Sequence, residues 1–178
     1  MSKRPSLPQQ ETKSAAPGPR FRSILIICAA NTARSVMAEH ILRRGLLARG
    51  IDGAVRITSA GIAPYARDGA LVSLDTRLAL REDGIHLDED ATSTDLKRHP
   101  EMLDVADLVI AMTEAQARDL LAAYPAASDR PVFTLRSFAG EAGDIEDPFE
   151  KGDQVFAECR EEIKRLMPLI IDRLLGEG

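Results

Sequence analysis

Short apolar runs alternate with stretches of helical periodicity along most of the chain. The first run, RSILIICA at 22–29, is continuous and isoleucine-rich, the pattern of a strand buried on both faces. SVMAEHILRRGLLARG at 35–50 then places Val36, Met37, Ile41, Leu46 and Leu47 near helical spacing and ends at Gly50. VRITSAG at 55–61 reads as a second strand, broken at Gly61. DTRLALREDG at 75–84 reads as a helix closed by Gly84. ADLVIAMT at 106–113 predicts a third strand, EAQARDLLAAYP at 114–125 a helix stopped by Pro125, and RPVFTL at 130–135 a fourth strand. The chain closes on a long amphipathic helix from Asp153, in which Pro168 is expected to introduce a kink or a division. This β-α-β-α-β-α-β-α order predicts an α/β fold: a single-domain, open, twisted parallel sheet of about four strands with helices on both faces. Ligands of such sheets bind beyond the C-terminal ends of the strands. Cys28 stands at the first such end.

Composition narrows the class. The 178 residues suit one domain with a substantial core, and a hydrophobic content of 44% with 29% charged residues is that of an ordinary globular protein. A net charge of −5 provides no basic footprint for nucleic acid. No apolar run is long enough to cross a membrane. Two cysteines, Cys28 and Cys159, make no disulfide framework, and His40, His86 and His99 stand at no metal-ligand spacing, so no metal or cofactor is implied. A reducing cytoplasm is the simplest setting. Residues 1–20, rich in Pro, Ser, Lys and Gln, read as a disordered N-terminal extension ahead of a domain spanning 21–178. Cys159, on the last helix among Phe156, Ile163 and Leu166, reads as a core residue.

The chemistry concentrates between Cys28 and Ser35, Cys-Ala-Ala-Asn-Thr-Ala-Arg-Ser. A short loop between a strand end and a helix start can turn its backbone N–H groups inward as an anion nest, helped by the positive end of the helix. Small residues at Ala29, Ala30 and Ala33 let the backbone curl round a phosphate. Arg34 offers a planar fork to two phosphate oxygens. The same field favours Cys28 as a thiolate nucleophile beneath the phosphorus. Ser35 can donate to the sulfur. Asn31 tolerates a left-handed backbone and can pin the loop through its amide.

In this register the chain resembles the low-molecular-weight protein tyrosine phosphatases, from Ile24 to the C-terminal helix. Cys28, Asn31, Arg34, Ser35, Ala38 and Glu39 match the family loop, and SAG at 59–61, ADLVIAMT at 106–113 and DPF at 147–149 match later segments. Within the family the chain is most similar to bacterial protein arginine phosphatases. Thr32 stands where tyrosine-specific members carry a larger aliphatic residue, and Phe149 where they often carry Tyr. The resemblance implies phosphorylated protein substrates and a cysteinyl-phosphate intermediate. Phosphoarginine is slightly favoured over phosphotyrosine, and both remain open.

Hydrolysis needs an acid opposite the nucleophile. GDIEDPFEKGD at 143–153 holds Asp144, Glu146, Asp147, Glu150 and Asp153. The following proline stiffens the aim of Asp147, and the resemblance selects the same residue. Phe149 is a candidate pocket wall, and Ser59 a candidate support for the loop. Four departures from the family pattern matter. Ala30 replaces a glycine, which would strain the loop if its φ were positive. Ala33 replaces a second cysteine, Val36 replaces a proline, and Glu89 stands near the place of a supporting histidine. Two alternatives follow: a phosphate-binding module without turnover, and an arsenate reductase. The latter requires two relay cysteines close in sequence, whereas Cys159 is the only other cysteine.

Overall fold

A computed structural model describes residues 18–51 and 53–177. The first element is β1 (Ser23–Cys28), followed by α1 (Arg34–Ala48), β2 (Arg56–Gly61), α2 (Leu74–Glu82), α3 (Glu101–Val105) and β3 (Leu108–Ala111). Then come α4 (Glu114–Ala123), a 3₁₀ turn (Pro125–Asp129), β4 (Val132–Thr134), α5 (Leu135–Phe138) and α6 (Asp153–Leu175). The four strands are parallel in the order β2-β1-β3-β4. The expected sheet and all four expected helices, α1, α2, α4 and α6, are present. Three short elements were not legible as separate units: α3, the 3₁₀ turn and α5.

The isoleucine run is buried on both faces because β1 is central. Ile24, Ile26 and Cys28 point into a core built with α1, α2, α5 and α6. Leu25 and Ile27 point into the opposite core with Leu103 of α3 and Leu120 of α4. Alternation along one strand thus feeds two layers, which is why the run shows no polar positions. From β1 the chain winds to β2 on one side, then crosses back to β3 on the other. The β1/β3 boundary is therefore the switch point of the sheet, and Cys28 ends the strand beside it.

One expectation is narrowed. Pro168 does not divide the last helix, since α6 is continuous from Asp153 to Leu175. Pro168 lies on the exposed face while Met167, Ile170 and Ile171 anchor the turns around it in the core. Packing outweighs the lost N–H donor. At the N-terminus, residues 1–17 of the expected extension lie outside the described residues. Arg20, by contrast, is tied down: its backbone N–H donates to the Leu174 carbonyl over 2.8 Å.

Candidate active site

Strand β1 delivers Cys28, 3% exposed, into a loop whose shape is set by Asn31. Asn31 adopts φ 58°, the left-handed conformation that asparagine tolerates better than most residues. This turn brings its own backbone N–H to 3.3 Å from Cys28 Sγ. The Asn31 amide then ties three segments together. Its Nδ2 donates to Ser35 Oγ and to Ser59 Oγ, both over 2.8 Å, and its Oδ1 accepts from the Thr94 N–H over 2.8 Å. Ser35 Oγ lies 2.9 Å from Cys28 Sγ, within hydrogen-bond distance of the sulfur. Helix α1 opens with no side-chain cap at Ala33 and no acidic residue in its first turn. Its leading N–H groups are left for an anion.

Arg34 is 5% exposed and held by two contacts from the acidic loop. Nη1 donates to the Ile145 carbonyl over 2.9 Å, and Nη2 lies 3.3 Å from Asp147 Oδ2. The acidic loop is itself fastened: Ile145 N–H donates to the Met112 carbonyl, and Asp144 Oδ1 accepts the Glu114 N–H. Glu146 pairs with Lys151. Asp147 Oδ1 accepts the Phe149 N–H over 3.1 Å, which fixes the carboxylate at the pocket edge. Cys28, Ala29, Ala30, Thr32, Ala33, Arg34, Asp147 and Phe149 line one cavity of about 320 Å³. Cys28, Arg34 and Asp147 therefore converge from β1, α1 and the loop before α6.

The family model for low molecular weight phosphotyrosine protein phosphatase matches residues 23–177. The chain belongs to that family. A protein-arginine-phosphatase of Geobacillus stearothermophilus is 34% identical over 155 residues, covering 86% of this chain and 97% of the relative. Low molecular weight protein-tyrosine phosphatase A of Mycobacterium tuberculosis is 31% identical over 163 residues, covering 87% and 95%. Among solved structures, a YwlE arginine phosphatase Cys-to-Ser mutant with a phosphorylated active-site serine superposes with a TM-score of 0.77 at 29% identity, covering 85% of this chain and 95% of that one.

The departures from the phosphatase pattern can now be read physically. Among the described residues only Asn31 and Glu150 are non-glycine with positive φ, so Ala30 carries no such strain. Val36 packs in the core, and α1 starts at Arg34 without a proline. Glu89 does not reach the loop network: it is exposed, and its carbonyl accepts from Arg77 Nη2. Glu39 reaches the network instead, accepting from Ser59 Oγ over 2.5 Å and pairing with Arg43 over 2.8 Å. Thr32 is fixed through its backbone carbonyl, which accepts from the Ser73 N–H over 3.2 Å and from Thr76 Oγ1 over 2.9 Å.

Three cavity residues escaped the sequence reading: Tyr65, Ser73 and Phe156. Ser73 had the one available signal, an N-cap serine before the α2 pattern. Gly61 marks the end of a strand and part of the SAG match in the sequence, and the Ala29–Ala30 backbone packs directly on it. A Cβ there would lie 2.8 Å from both the Ala29 oxygen and the Ala30 carbonyl carbon. Cys159 lies in the core, 5% exposed. Burial pushes its thiol up to about 12, with the Arg34 charge opposing, so it stays protonated and inert. Among the described residues no helix is long and apolar enough to cross a membrane, and no cluster of His, Cys, Asp and Glu could hold a metal ion.

Proposed function

We propose that residues 21–178 form a protein phosphatase domain that removes phosphate from amino-acid side chains by double displacement. Arg34 exchanges part of its contact with Asp147 for two phosphate oxygens, while the loop N–H groups take the remaining charge. The Cys28 thiolate attacks phosphorus in line. As the S–P bond forms, the P–N or P–O bond breaks and its electron pair stays on the leaving atom, which Asp147 protonates. Water then attacks the cysteinyl-phosphate, Asp147 accepts its proton, and the S–P bond breaks. Ser35 donates to the departing sulfur. The observation that carries this reading is the convergence of Cys28, Arg34 and Asp147 on one cavity.

The preferred substrate in this reading is phosphoarginine, in a cytoplasmic protein. Thr32 lines the cavity as a small side chain with a hydroxyl, suited to a guanidinium rather than to a phenyl ring. The Geobacillus relative is named for arginine. The test is turnover of one peptide carrying phosphoarginine against the same peptide carrying phosphotyrosine. Phosphoarginine is expected to be the better substrate, and Cys28→Ser to lower kcat for both by more than about 1,000-fold. Thr32→Val, which keeps the shape and deletes the hydroxyl, should move the ratio toward phosphotyrosine. A phosphotyrosine preference in the parent protein would discard the substrate assignment and leave the mechanism standing. Turnover of neither would favour the binding-module alternative.

A further inference from the structure

The active-site cavity does not end at the catalytic residues. Phe156 lines it, and also lines a second cavity of about 210 Å³. The second space follows the seam between two helices that both begin at the site. Asp75, Leu78, Ala79 and Glu82 come from α2; Asp153, Ala157 and Arg160 come from α6. Ser73, immediately before α2, belongs to the catalytic cavity, whereas Glu82 lies at the other end of that helix. At 1.5 Å per helical residue the groove extends about 10–13 Å from the site, the reach of roughly three or four residues of extended chain.

The lining has a definite sign. Among the described residues Arg160 is the only cation lining the groove, and its charge is committed: its guanidinium bonds the Ala79 carbonyl and pairs with Glu82, Glu161 and Asp83. Asp75 and Asp153 are exposed and have no ion-pair partner among the described residues. Leu78, 47% exposed, supplies an apolar contact beside them. Each stands in the first turn of its helix with no cationic side chain paired to it, and two such carboxylates repel phosphate, so this seam does not extend the phosphate cradle. Its charge complements a cation.

We propose that the α2–α6 groove receives the polypeptide flanking the phosphorylated residue, and selects substrates with a Lys or Arg two to four positions away beside an apolar residue. This rests on the phosphatase reading above. Continuity through Phe156 ties the groove to the site, and Asp75 and Asp153 give the charge preference.

The test uses phosphopeptides with one phosphorylated residue and either Lys or Glu two to four positions away on each side, with para-nitrophenyl phosphate as a substrate lacking any flank. The Lys peptides are expected to show about five- to tenfold higher kcat/KM, mainly through KM, with the advantage shrinking at high salt. Asp75→Asn and Asp153→Asn should each reduce the Lys preference about threefold, and Leu78→Ser should weaken both peptides. Turnover of para-nitrophenyl phosphate should stay unchanged in all three variants. Equal use of Lys and Glu peptides, or variants that lower para-nitrophenyl phosphate turnover to the same extent, would overturn the groove. Failure of the parent protein on every substrate would instead strike the phosphatase reading. Calorimetric binding of the same peptides to the Cys28→Ser protein then decides the groove separately, by whether the Lys ranking persists.

Discussion

At the scale of single residues, the site depends on what a side chain lacks as much as on what it carries. Gly61 pairs with Cys28 in the β1–β2 register, and the Ala29–Ala30 backbone lies directly above its Cα. The contacted atoms are backbone, so they cannot rotate away from an added methyl group. Gly61→Ala should therefore lower stability by about 1–3 kcal/mol and displace the cradle. The expected result is a lower melting temperature together with a fall in kcat for para-nitrophenyl phosphate in the fully folded protein. Unchanged kcat would mean that the loop accommodates the methyl group and that Gly61 does not shape it. This requirement was invisible in the sequence because it belongs to two chain segments about thirty residues apart. Cys28, Asn31, Arg34 and Ser35 were legible for the opposite reason: they are consecutive on one loop, so spacing alone brings them together. Glu39 illustrates the intermediate case. Its one-turn offset from Ser35 on α1 could be seen, but its bond to Ser59 needed the β1–β2 pairing.

At the scale of elements, apolar pattern determined the outcome more strongly than local propensity. The four strands and the long helices were legible because each buries a run of apolar residues. The elements that escaped, α3 at five residues and α5 at four, are too short to show a period. Helix α6 marks the place where packing prevails over the division that Pro168 could have introduced. Pro168 lacks the N–H donor and crowds the preceding turn, yet α6 persists because Ile163, Leu166, Ile170 and Leu174 are fully buried. The cost of the proline remains within the folded state. Because Pro168 is exposed, replacing it loses little packing. Pro168→Ala should restore a backbone donor and raise stability by about 1–3 kcal/mol, less any rigidity lost from the unfolded chain. Chemical denaturation would read this as a higher midpoint with an unchanged slope. A lower midpoint would show that the local geometry around Pro168 is needed for α6 to meet α1.

At the scale of the whole molecule, two histidines on different parts of the fold give opposite responses to pH. His40, on α1, lines a cavity behind the phosphate loop with Asn31, Glu39 and Ser59. Burial lowers its pKa from 6.5, with Glu39 opposing and Arg43 assisting. The unfolded chain thus binds a proton more readily than the native state, and His40 makes the fold less stable as pH falls below 6.5. His99 stands at 2.9 Å from Asp68 and 3.3 Å from Glu101. The Asp68 hydrogen bond raises its pKa, with Glu101 adding to the effect. Its stabilisation is fully present below 6.5 and disappears as pH rises through the raised native value. The wild-type profile between pH 5 and 8 contains both opposing slopes, so only variants separate them. Denaturation midpoints should show His40→Gln gaining on the parent protein as pH falls from 7 to 5. His99→Gln should lose ground most at the acid end and recover as pH rises. The same sign of slope for both variants would be incompatible with a desolvated His40 and an ion-paired His99. If only the His40 slope failed, the cavity behind the loop must admit enough water to hydrate the imidazolium, and Glu39 would then support Ser59 in a solvated rather than a dry setting.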